Sequence, residues 1–154
     1  MTDRYAIDTC SLINAAKNYS LKKSTFSPVW ERINDLISEG LLISTTEVKE
    51  EIKDDDLLEW SKRNDQMFHP LTEEVQIKAT DILRGFPTMI KMKSTGNSNA
   101  DPFLIATAML EDAIIVTDER LGDEATGDYH IPNVCRRYGV ECITLNDFLD
   151  RILE

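Results

Sequence analysis

Five acids stand where chemistry is easiest to build: Asp8 in YAIDTCSLI, Glu51 in STTEVKEEI, Asp101 in NSNADPFLIATAM, and Asp118 with Glu119 in IIVTDERLGDE. Each follows or opens an apolar run. In an alternating α/β chain such positions gather at one edge of a parallel sheet, where binding crevices form. Carboxylates brought together repel one another, so the cluster needs cations. Hard divalent metals, which take oxygen ligands, answer that need. The chemistry indicated is metal-assisted reaction of phosphate esters.

Each acid also has a plainer use. Asp8 ends an apolar strand, where a bare carboxylate is costly unless paired or metal-bound, but it could simply cap the next helix. Glu47 and Glu51 are four apart and share a helix face. Glu51 borders the apolar Val48 and Ile52 and is the better candidate. Glu47 is held in reserve, since it could complete a capping box with Ser44. Asp101-Pro102 is an ordinary helix start, yet it opens a helix that is apolar nearly all round. Thr117 adds a hydroxyl beside the Asp118-Glu119 pair, and either acid could supply the carboxylate. The triplet Asp54-Asp55-Asp56 reads as a helix start complementing the dipole rather than as a metal site.

The elements that must position these acids alternate in type. Strands are expected over 4–8, 41–44, 113–117 and 140–143. Helices are expected over 9–17, from Ser27-Pro28 to Gly40, from Thr45 or Thr46 through Trp60 with a break at the aspartate triplet, from Thr72 to Gly85, from Asp101, over 131–138, and from a Thr144 cap onward. Residues 18–25, 88–97 and 118–130 read as loops. This alternation implies βαβ units and a parallel sheet of class α/β.

The chain's 154 residues suit a single domain with a real core. No apolar stretch reaches bilayer length, and the N-terminus reads as a core strand rather than a signal, so a cytoplasmic protein without membrane contact is expected. Three cysteines in apolar settings (Cys10, Cys135, Cys142) point to reduced thiols. A net charge of −11 argues against broad nonspecific nucleic-acid binding, so such a substrate must be gripped by the metals and by small basic groups such as Arg136-Arg137. No Cys/His spacing suits zinc and no glycine-rich phosphate loop occurs. Cys10 occupies the place of the second acid of a haloacid-type phosphatase. Ala16 and Glu141 stand where a cysteine phosphatase needs arginine after Cys10 and Cys135.

Taken in order, IDTCSLI, VKEEI, ADPFLIATA and IIVTDE resemble the PIN-domain family, and the likeness extends to IPNVCRRYGVECITL near the end. The resemblance implies a three-layer α/β/α sandwich on a mostly parallel sheet of four to five strands. It implies a Mg²⁺- or Mn²⁺-dependent ribonuclease, the toxin of a toxin–antitoxin pair, acting on RNA and held by an antitoxin protein. A homodimer is a further expected assembly. A catalytically degenerate binding module and a DNA-directed nuclease are the alternatives. Carried onto this chain, the family's acids fall on Asp8, Glu51 and Asp101. The last acid falls two residues after the threonine, on Glu119, a glutamate where aspartate is usual, which leaves Asp118 as its rival. Thr117 and Ser11 match small hydroxyl residues beside such sites. The mechanism implied is direct attack of water on a phosphodiester, leaving 5′-phosphate products.

Overall fold

The computed structural model describes residues 2–89 and 100–154. Along the chain run β1 (Tyr5–Ile7), α1 (Thr9–Asn18), α2 (Ser27–Ser38), β2 (Leu42–Thr45), α3 (Thr46–Glu50), α4 (Asp55–Arg63), β3 (Phe68–His69) and α5 (Glu73–Gly85). There follow α6 (Asp101–Glu111), β4 (Ile114–Val116), α7 (Ile131–Tyr138), β5 (Cys142–Ile143) and α8 (Leu145–Ile152). The strands form one all-parallel sheet in the order β3-β2-β1-β4-β5.

Alternation along the strands creates two cores. Tyr5, Ile7, Leu42, Ile114 and Val116 face α1, α2, α4 and α8, where Leu12, Trp30, Leu57, Trp60 and Phe148 are buried. Ala6, Ile43 and Ile115 face the other way, onto Ala79 and Ile82 of α5, Leu104 and Ile105 of α6, and Val134 of α7. The result is a three-layer α/β/α sandwich, as the sequence implied. Leu104 and Ile105 are fully buried, each contributing about 1.5–3 kcal/mol through removal from water. This is why α6 is apolar nearly all round: it lies against β1 and β2 on one side and α5 on another.

Several local expectations change. β3 was not read from the sequence, because two residues at a sheet edge leave no periodic signature. The helix at Ser27 starts one residue early, with Phe26 at the cap and Pro28 inside the first turn, so Ser27 is not the cap. Ser44 and Glu47 form no capping box. Thr45 caps α3, accepting from Val48 N at 3.3 Å, while Ser44 points across the sheet and donates to the Ile7 carbonyl at 2.7 Å. The aspartate triplet does start a helix: Asp54 caps α4 by accepting from Leu57 N at 3.0 Å. Of the loop expected over 88–97, Thr88 and Met89 close a short 3-10 turn and the remainder lies outside the described residues. No helix among the described residues is long and apolar enough to cross a membrane.

Candidate acidic site at the sheet edge

The strand order places β2 and β3 on one side of β1 and β4 and β5 on the other. Connections leaving β1 and β4 therefore diverge, which opens a crevice beyond their carboxyl ends. Asp8 follows β1 directly and Thr117 follows β4 directly. The pairing of Ile7 with Val116 brings these exits side by side, and Asp8 N donates to the Val116 carbonyl at 3.1 Å.

Asp8 is 3% exposed. Its Oδ1 accepts from Ser11 N at 2.9 Å, so the residue does cap α1. Its Oδ2 accepts from the Thr117 hydroxyl and from the Cys10 thiol, the latter at 3.1 Å. Burial raises the carboxyl's pKa, and these hydrogen bonds offset only part of the rise. Capping and placement in the acidic crevice are thus both true of Asp8: one oxygen serves the helix while the other faces β4. Ser11 contributes chiefly through its amide, and its buried hydroxyl reaches the Val116 carbonyl at 3.4 Å. Beside the buried carboxylate, the Cys10 thiol is pushed up to about 12, first by burial and then by the charge of Asp8.

Asp118 and Glu119, indistinguishable in sequence, have separate surroundings. Asp118 Oδ2 accepts from Asn14 Nδ2 at 2.7 Å and Oδ1 from Leu145 N at 2.9 Å. Its carboxylate thereby ties the β4 exit to α1 and to the first turn of α8. Glu119 turns toward the other acids. It is hydrogen-bonded to Asp101, accepts from the Ile131 amide at the start of α7, and feels the charges of Asp8 and His130. Burial, followed by the negative charge of Asp8, raises its pKa. Carboxyl groups held this close crowd negative charge.

Asp101 is the first residue of α6, and the cap position itself is Ala100. Glu51 closes α3 and accepts from Thr9 Oγ1 at 2.6 Å, which sets it beside the residue that follows Asp8. Glu47 accepts from Thr46 Oγ1 at 2.7 Å at the opposite end of that short helix.

His130 was missed from sequence, where the two histidines offered no pattern. Its Nδ1 meets the Arg120 carbonyl at 2.8 Å and its Nε2 meets Asp128 Oδ1 at 3.1 Å. The only available signal was its position just before the helix-starting Ile131-Pro132. The segment 118–130 is the exposed loop expected, with one 3-10 turn at Glu124–Thr126, and it is fastened to α7. Asn133, 3% exposed, accepts from Gly122 N at 2.8 Å and His130 N at 3.0 Å and donates to the Gly122 carbonyl at 3.2 Å, fastening the loop that carries Glu119.

Asp8, Asp101 and Glu119 thus meet at one edge, with Thr117 between strands and Glu51 next to Thr9. Their donors are all oxygen, the chemistry a hard divalent cation takes. Among the described residues no three acidic, histidine or cysteine side chains form a ready-made ligand shell.

Fold and site together define a parallel α/β protein with an acidic crevice at the switch point of its sheet. The chain belongs to the family described as domain of unknown function DUF4411, whose profile matches residues 5–153. None of the curated proteins matches it.

Proposed function

We propose that the protein is a divalent-cation-dependent phosphodiesterase of the PIN-like class, a ribonuclease serving as the toxin of a toxin–antitoxin pair in the cytoplasm. The observation that carries this reading is the meeting of Asp101 and Glu119 at the sheet edge beside the buried Asp8. Crowding of that kind is unfavourable in itself and is relieved by a cation. Asp8, Asp101 and Glu119 would hold Mg²⁺ or Mn²⁺, with Glu51 at the margin. Bound there, the ion supplies a water of lowered pKa and offsets the charge of the phosphate.

The chain's own groups do the rest. Thr117 and the Ser11 amide fix the orientation of Asp8, and the Ile131 amide and His130 draw Glu119 into place. Water attacks phosphorus opposite the departing oxygen with no covalent enzyme intermediate, leaving a 5′-phosphate. The antitoxin that fits this crevice presents a basic side chain to it.

A second reading is a binding module that has lost catalysis. It is favoured by the position of Asp118: the one aspartate of the last motif is committed to Asn14 and Leu145, leaving a glutamate for the crevice. Cleavage of defined transfer, messenger and single-stranded DNA substrates, with Mn²⁺ and with chelator, tests both. The ribonuclease reading expects chelator-sensitive RNA cleavage that Asp8→Asn and Asp101→Asn abolish, together with relief of growth arrest on expression. Full activity in both variants removes it. Absence of Mn²⁺ binding by calorimetry supports the module, and preference for DNA supports a DNA-directed nuclease.

A further inference from the structure

Two of the three thiols lie beside the acidic site, on the side of Glu119, and the fold brings them to one cavity. Cys135 lies in the last turns of α7 and Cys142 opens β5. Between them Gly139 takes a left-handed conformation (φ +69°) that turns the chain back. The Cys135 carbonyl accepts from Gly139 N and, at 2.9 Å, from Val140 N, which closes the turn. The two side chains lie on the same face of the sheet and pack with the same core residues. Both line one cavity of about 390 Å³ that also presents Thr117, Glu119, Arg136 and Thr144. Cys135 is buried at 1% exposure, whereas Cys142 is half-buried and reachable through the cavity.

An accessible sulfur beside a buried second thiol is the arrangement of an oxidation-sensitive dithiol. We propose that Cys135 and Cys142 form a thiol modification site at which hydrogen peroxide is reduced and an intramolecular disulfide forms. The thiolate is the attacking form, and only the sulfur of Cys142 is exposed enough to meet a peroxide. Cys142 sulfur attacks one peroxide oxygen: an S–O bond forms, the O–O bond breaks, and the departing hydroxide takes a proton to become water. Cys135 sulfur then attacks the sulfenic acid: the S–S bond forms, the S–O bond breaks, and a second water leaves with the Cys135 proton. Two thiols lose two electrons and one peroxide becomes two waters. Cys10 stands apart from this chemistry, its thiol bound to Asp8 and held protonated.

The test needs no assumption about nuclease activity. Full-length protein is treated with stoichiometric hydrogen peroxide, denatured, and its remaining thiols are counted. The expected count falls from three to one and returns to three with dithiothreitol. Arg120, Arg136 and Arg137 separate the cysteines, so trypsin leaves all three on different peptides and a linked Cys135–Cys142 pair is diagnostic. Cys135→Ser is expected to stall at a Cys142 sulfenic acid trapped by dimedone, and Cys142→Ser to leave Cys135 unmodified. Three surviving thiols, a link through Cys10, or sulfinic acid at Cys142 without a linked peptide would each overturn the assignment.

Discussion

Thr117 donates its hydroxyl proton to Asp8 across the β4–β1 pair, and its oxygen accepts the Glu119 amide at 3.1 Å. One side chain thus sets the positions of two acids that arrive from different strands. Its contribution is to hold one oxygen of Asp8 in register with the backbone that carries Glu119.

Replacing Thr117 with valine keeps the shape and removes both bonds. A residue of this kind, supporting a ligand from behind, typically matters by about 10–100-fold in metal affinity or activity. Thr117→Val is expected to weaken Mn²⁺ binding by that order in calorimetric titration while leaving the circular dichroism spectrum native. Unchanged affinity would show that the hydroxyl does not organise the crevice.

Asp118 and Glu119 should separate cleanly. Asp118→Ala strips an acceptor from the Leu145 amide, one of the orphan donors at the start of α8, and is expected to cost about 1–2 kcal/mol in urea denaturation. Its Mn²⁺ affinity should remain near that of the parent. Glu119→Gln should do the reverse, losing affinity with little loss of stability. An Asp118→Ala protein that is fully stable yet fails to bind Mn²⁺ would exchange the two assignments.

The raised acids make stability depend on pH in an unusual direction. Asp8 and Glu119 lie above their ordinary values of 3.8 and 4.5, both chiefly through burial. The folded state therefore binds more protons than the unfolded state over the interval from those values up to the raised ones. Their contribution is fully present below the ordinary values and is lost as pH climbs through the raised ones. Relative to Asp8→Asn, the parent protein should lose Tm as pH rises from the acid range toward neutrality in chelator. Mn²⁺ at neutral pH should close the gap by binding the ionised form, and an equal pH profile for the two proteins would refute the linkage.

Gly122 is constrained by close approach. A Cβ built there lies 2.0 Å from the Asp128 carbonyl oxygen, a backbone atom that cannot yield without moving the loop. Gly122→Ala should cost about 1–3 kcal/mol. Because the same loop carries Glu119, Mn²⁺ affinity should fall with it, whereas Gly85→Ala, whose Cβ would meet only Tyr138 Oη at 4.0 Å, should leave affinity unchanged.

Much of the fold was legible because its signals are local. Pro102 and the apolar run behind it mark α6, Thr72 and Thr144 cap α5 and α8 by accepting from Val75 and Asp147 amides, and Gly139 ends α7. Where reading failed, competing local options were nearly equal in energy. Ser44 and Thr45 are both good caps, and only the carbonyl of Ile7, across the sheet, draws Ser44 away. β3 exists because Ser44 and Thr45 offer an edge to pair with, not because Phe68-His69 carries a strand pattern of its own.

The order of residues determined which acids sit at strand exits and helix starts, since apolar periodicity and turn chemistry act over a few neighbouring positions. That was enough to place Asp8, Asp101 and the Asp118-Glu119 turn at one sheet edge. The direction each carboxylate takes was decided only by tertiary structure. Asn14 and the Leu145 amide claim Asp118, while Ile131, Asp101 and His130 surround Glu119, and these partners come from elements 11 to 104 residues distant. Long-range hydrogen bonds and burial, which no window of adjacent residues encodes, separated two neighbouring acids into a brace and a member of the site.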